Sequence, residues 1–120
     1  MRTHKELVVW QKSMEMVKCL YLVTQAFPKE EIYGITSQMR RAAVSIPSNI
    51  AEGFGRGYDK ELIHFLYMAL GSASELETQF LICKDIAYIS DAQYQELDSM
   101  NSEIIKMLTA LINKRKSFVF

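Results

Sequence analysis

Proline and glycine are scarce in this chain, 2 and 5 of its 120 residues, which argues against disorder and against an architecture of strands and turns. Cysteine is as rare. Cys19 and Cys83 are too few for a disulfide framework and read as reduced thiols, packed as small apolar side chains in a cytoplasmic protein. Net charge is absent: 14 basic and 14 acidic residues cancel, so no global field draws the chain to nucleic acid. Any such contact needs a local patch. Long hydrophobic runs are absent too. The longest uncharged stretch, residues 62–74, falls short of the ~20 needed to cross a bilayer, and residues 1–7 are polar, with no apolar signal core. These features predict a soluble protein with no membrane partner.

What is present is an apolar fraction of 49% in helical periodicity, over a length that makes residues 1–120 a single domain. Thr3 and Glu6 form a candidate capping box before Leu7, Trp10, Met14, Val17, Tyr21 and Thr24, which line one helix face until Pro28. Beyond Gly34, a second seam holds Ile35, Met39, Ala42, Ile46, Asn49 and Gly53, with Ile50 beside it and glycines 53, 55 and 57 as its stop. The third helix, with Asp59 as N-cap, has the strongest signal: Leu62, Leu66, Ala69, Ala73, Leu76, Phe80, Cys83 and Ala87 at strict four and three spacing. Ser90 and Gln93 make a second capping box before Tyr94, Leu97, Asn101, Ile104, Leu108 and Leu111, and the tail after Lys114 is expected to fray. Short links favour an all-α, antiparallel up-down-up-down four-helix bundle.

Pro47 interrupts the second seam. A proline inside a helix deletes a backbone hydrogen bond and crowds the carbonyl four residues back, that of Ala43, at a cost of ~3 kcal/mol. A kinked second helix is predicted, with Ser45, Ser48 and Asn49 able to satisfy the freed backbone.

The middle helices carry more apolar surface than one bundle needs. The third adds a second stripe, Ile63, Tyr67, Leu70 and Leu81, roughly a quarter to a third of a turn from its core seam. The second has no charge from Ala42 to Ala51. Surplus of this kind predicts a homo-oligomer with that stripe as its interface.

Chemistry-bearing clusters are thin. His4 and His64 stand apart from any metal-ligand spacing, and a single Glu61-x-x-His64 falls short of a di-iron bundle, so neither a metal nor a cofactor is expected. Glu75 and Glu77 point ~200° apart. Glu77 is expected at the core margin, paired with Arg40 or Arg41. Glycines 53–57 lack the strand and the Lys-Ser/Thr ending of a phosphate loop. No serine or cysteine has an evident base. For nucleic acid, Arg40, Arg41 and Arg56 with Phe54 and Tyr58 make one small cluster, and Lys114, Arg115 and Lys116 another.

The blocks LVVWQKSMEMV, FPKEEIYGITSQMRRAAVSIPSNIAEGFGRG and FLYMALGSASELETQFLIC resemble the bacterial four-helix bundle proteins named for 23S ribosomal RNA intervening sequences. The resemblance covers nearly the whole chain and is most specific at Tyr33-Gly34, Arg40-Arg41-Ala42, Ser45-Ile46-Pro47 and Asn49-Ile50-Ala51-Glu52-Gly53. It implies a bundle that assembles through its sides as a pentameric ring, with no catalytic residues. A similar fold, the accessory factor of diversity-generating retroelements, is a basic pentamer that associates with nucleic acid; this chain departs from it in its neutral charge. Two functions compete. One is a non-enzymatic ring that scaffolds RNA, DNA or a partner protein, with Arg40, Arg41, Asn49, Glu52 and Arg56 as its distinctive polar set. The other is a bundle that binds a small ligand or effector.

Overall fold

The computed structural model describes residues 3–119, which hold four α-helices and no strand: α1 (Val8–Thr24), α2 (Ile35–Gly55), α3 (Asp59–Asp85) and α4 (Asp91–Val119). Residues 1, 2 and 120, part of the polar start and of the fraying tail expected above, lie outside that range. Helix α1 packs on α2 and α4, and α3 packs on the same two, so α1 and α3 sit on one diagonal of a body 45 × 22 × 21 Å. Arg115, near the end of α4, reaches Asp59 in the first turn of α3, and Lys84, in the last turn of α3, lies over Tyr94 near the start of α4.

The α3 seam from Leu62 to Cys83 is buried at every expected position. Each of its large side chains contributes roughly 1.5–3 kcal/mol by leaving water. Ala87 does not extend it. The helix ends at Asp85, and Ala87 takes φ 63° while the amides of Tyr88 and Ile89 both bond back to the Cys83 carbonyl. That left-handed exit normally falls to glycine, which is why the sequence pattern runs past it.

Helix α2 continues through Pro47 to Gly55, and Gly53 is a buried position inside it, not its stop. A β-carbon there would lie 3.0 Å from Leu62 Cδ1 and from Phe65 Cβ, so the missing side chain is what lets α3 approach. The turn itself falls at Gly57, φ 79°. Asn49 donates to the Ser45 carbonyl at 2.8 Å and to its hydroxyl at 2.9 Å, so the polar contact near Pro47 falls two residues beyond the expected acceptor, Ala43. Ser45 and Ser72 share a 2.8 Å hydrogen bond across to α3.

Helix α1 departs most from expectation. Its buried face is Val9, Ser13, Met16, Leu20 and Thr24, while Met14 and Tyr21 are exposed and Leu7, Trp10 and Val17 half-buried. Ser13 can occupy the core because its hydroxyl donates to the Trp10 carbonyl within the helix, at 2.7 Å. Thr3 accepts from the Lys5 amide and opens a short 3-10 turn, His4–Glu6, so α1 itself starts only at Val8.

In α4, the Ser90–Gln93 capping box forms in both directions, at 2.9 and 3.1 Å. The helix holds its form past Lys114 to Val119, and Ile112 takes the buried place expected of Leu111. Asn101 is fully buried and donates to the Ala73 carbonyl at 2.8 Å.

Candidate interaction surface

The five polar residues singled out by sequence do not converge. Arg40 turns to α1: its Nε donates to Thr24 Oγ1 at 2.9 Å, one terminal nitrogen reaches the Tyr21 carbonyl at 3.4 Å, and its guanidinium lies 4.4 Å from the centre of the Tyr21 ring. A cation at the last carbonyls of α1 also meets the negative end of that helix dipole. Asn49 faces α3 through the Ser45–Ser72 pair. Glu52 and Arg56 form an i, i+4 ion pair at 2.9 Å, half in solvent, with Arg56 over the Phe65 ring. Such exposed pairs contribute ~0.3–0.5 kcal/mol. Arg41 alone of the five points outward with no partner among the described residues.

The second apolar stripe of α3 is divided. Ile63 is buried within the protomer and Leu70 half-buried, whereas Tyr67 and Leu81 are exposed, Tyr67 with Lys116 over its ring. Met68 and Ile82 extend the exposed apolar part of α3. Glu77 is exposed, not held at a core margin by Arg40 or Arg41.

A second apolar feature lies between α1 and α2. Trp10, Met14 and Val17 face Val44, Pro47 and Ala51 across an open groove of about 370 Å³, with His4 edge-on to Trp10 at one end. A second crevice of about 330 Å³ shares Val44 and continues past Tyr21 to Arg40 and Arg41. Sequence reasoning assigned Trp10, Met14, Val17 and Tyr21 to the core. Their periodicity was the signal for this surface; what it lacked was the neighbouring stripe that competes for the interior.

Titratable groups with perturbed behaviour serve packing. Burial, and after it a hydrogen bond to Glu96, pushes the Cys19 thiol up to about 11, and burial with the charge of Glu31 does the same for Cys83. Neither is a thiolate at neutral pH, so neither is a ready nucleophile. The Tyr88 hydroxyl donates to Glu31 at 2.8 Å, and that bond holds its pKa above the usual phenol range. His64 sits edge-on to Phe65. Among the described residues no three His, Cys, Asp or Glu side chains are grouped to hold a metal, and no helix is long and apolar enough to cross a membrane. The basic C-terminal run is dispersed, with Arg115 turned to Asp59 and the ring of Phe54, and Lys116 to Tyr67.

Comparison with known proteins identifies the family and the fold. The sequence profile of the family described as 23S rRNA-intervening sequence protein matches residues 5–110. A crystal structure from Bacteroides thetaiotaomicron, described as a protein with unknown function from the S23 ribosomal protein family, is 28% identical and superposes with a TM-score of 0.79. The match covers 88% of this chain and 96% of that one. No curated protein matches the chain.

Proposed function

Because the chain belongs to the 23S rRNA-intervening sequence protein family, we propose that it is a non-enzymatic module that assembles into a ring of five copies and scaffolds RNA, DNA or a partner protein. The supporting observation is the pair of uncovered apolar surfaces on different sides of the protomer. One is the α1–α2 groove from Trp10 to Ala51; the other is the outer face of α3 with Tyr67, Met68, Leu81 and Ile82. Helices α1 and α3 lie on a diagonal, so the two surfaces are not one patch meeting its own copy. A groove on one protomer that receives α3 of the next is a heterologous contact, and heterologous contacts close into rings when the rotation per subunit allows.

The groups able to do chemistry are committed to structure: Ser45, Ser72 and Asn49 to one another, both histidines to aromatic rings, both thiols to their protonated form. That is the ground for reading the module as non-catalytic, and the unpaired thiols are the ground for placing it in the cytoplasm. Arg41, outward and unpaired, is the natural nucleic-acid contact. On a neutral protein one such patch binds weakly, and five copies in a ring multiply it.

Light scattering tests the assembly. The expected mass is near five times the 13.8 kDa chain. Val44→Glu, which places a charge in the groove, should return a folded monomer, because a substitution at an exposed helix position changes protomer stability by roughly 0.5 kcal/mol or less. A monodisperse monomer of the unaltered protein at micromolar concentration would reject the ring. Retention of structured RNA that falls with added salt would support the scaffolding role, and salt-independent retention would count against it.

A further inference from the structure

Where α1 ends and α2 begins, the surface crevice of about 330 Å³ has a polar floor that its apolar walls do not explain. Thr36 forms part of that floor. It is 4% exposed, and its hydroxyl has no hydrogen-bond partner, an arrangement that normally costs ~1–3 kcal/mol and so asks for an occupant. The same threonine belongs to the first turn of α2, a helix of 21 residues whose N-cap is Gly34 and which no side chain caps. Its leading amides donate to no side chain, although the Glu31 carboxylate lies beside Gly34, so an anion at this helix end must share it with that charge.

Two guanidiniums flank this floor. Arg40 is fixed in orientation by Thr24 and the Tyr21 carbonyl, through Nε and one terminal nitrogen, which leaves its other terminal nitrogen uncommitted. Arg41 has no partner among the described residues and lines the same crevice. An adjoining crevice shares Thr36 and Arg40 and adds Lys29. Opposing charge comes from Glu30 and Glu31 in the linker, and Glu31 is bonded by Tyr88 from the far side of the chain. The walls are apolar, made by Tyr21, Ile32 and Val44.

We propose that this crevice binds a small phosphomonoester, its phosphate held by Arg40, Arg41 and the first turn of α2, and its organic part laid against Tyr21 and Ile32. A planar, doubly donating guanidinium matches phosphate oxygens in pairs, and the uncapped helix start supplies the neutral donors. The site makes no covalent change to its ligand. It goes beyond the ring assembly, since each protomer carries all of it.

Titration of the ¹⁵N-labelled protein with phenyl phosphate, followed through the amides of Thr36 and Ser37 and by calorimetry, tests the assignment. Saturable shifts centred on those amides are expected. Arg41→Gln should weaken binding roughly tenfold, the effect of losing one charge-assisted contact, while Arg56→Gln leaves it unchanged. Arg41 holds no structural bond, so that variant keeps its fold; Arg40→Gln also loosens α1 and serves only as a second measurement. Inorganic phosphate should bind more weakly than phenyl phosphate, and equal affinity would overturn the placement of the organic part. Absence of saturable shifts at Thr36 and Ser37, or equal loss from Arg41→Gln and Arg56→Gln, would overturn the site. Structured RNA binding through Arg41 in a protein that ignores phenyl phosphate would do the same.

Discussion

The two flanks of α2 are built from small side chains and end differently. Toward α3, Gly53 admits Leu62 and Phe65, and Ser45 meets Ser72, so the two helices come into direct contact. Toward α1, Val44, Pro47 and Ala51 face Trp10, Met14 and Val17 across an open groove. Small residues permit close approach; they do not compel it. Closure needs a partner whose side chains fit the space, which α3 provides and α1 does not.

The comparison can be broken most forcefully at Gly53. Gly53→Leu pushes a side chain into Leu62 and Phe65 and should cost about 3 kcal/mol in chemical denaturation, the upper part of the range for overpacking. The same leucine at Ala51, on the open flank, should cost less than about 0.5 kcal/mol. Equal costs would erase the distinction between the flanks. Next in size is Pro47→Ala, which restores an amide donor and a better helix former; a gain of about 1–2 kcal/mol is expected after the lost contacts of the ring are set against the ~3 kcal/mol propensity difference. If neither melting temperature nor oligomer mass moves, the proline has no structural role.

A smaller effect sharpens the closed flank. Ser72→Ala should destabilise by about 1 kcal/mol, and Ser45→Ala combined with it by clearly less than the sum, because both remove one shared hydrogen bond. Smallest is an alkaline effect. Cys83 touches Met39 on that flank at 3.5 Å, and its thiol is raised from 9.0 to about 11. The fold thus favours the protonated form: the contribution is whole below pH 9 and is lost as pH climbs toward 11. Tyr88 adds a loss of the same sign above pH 10, through its bond to Glu31. Thermal melts across that window should show a falling midpoint, and Tyr88→Phe should narrow its deficit relative to the unaltered protein as pH rises.

Much of the architecture was legible in sequence because α3 alternates its apolar residues strictly, and a strict seam leaves one orientation. Helix α1 was not legible for the opposite reason. It carries two apolar stripes, and Ser13 interrupts the one that is buried, so counting apolar residues selects its neighbour. The candidate surface was hidden by the same ambiguity, since Trp10, Met14 and Tyr21 look like core until Met16 and Leu20 are seen to fill it. The residues of the polar set could be named from sequence but their partners could not, because Thr24, Ser72 and Phe65 come from other helices. The stripe chosen on α3 was partly consumed, Ile63 going inside while Met68 and Ile82 joined the exposed face.

Asn101 gives the α3–α4 contact an index mark. Its amide reaches a single backbone carbonyl, that of Ala73, from a position closed to water. Sliding α4 along α3 by one helical turn, ~5.4 Å, would strand that amide among hydrocarbon, whereas the leucines around it tolerate such a shift. One side chain therefore keeps two long greasy rods from trading one alignment for another.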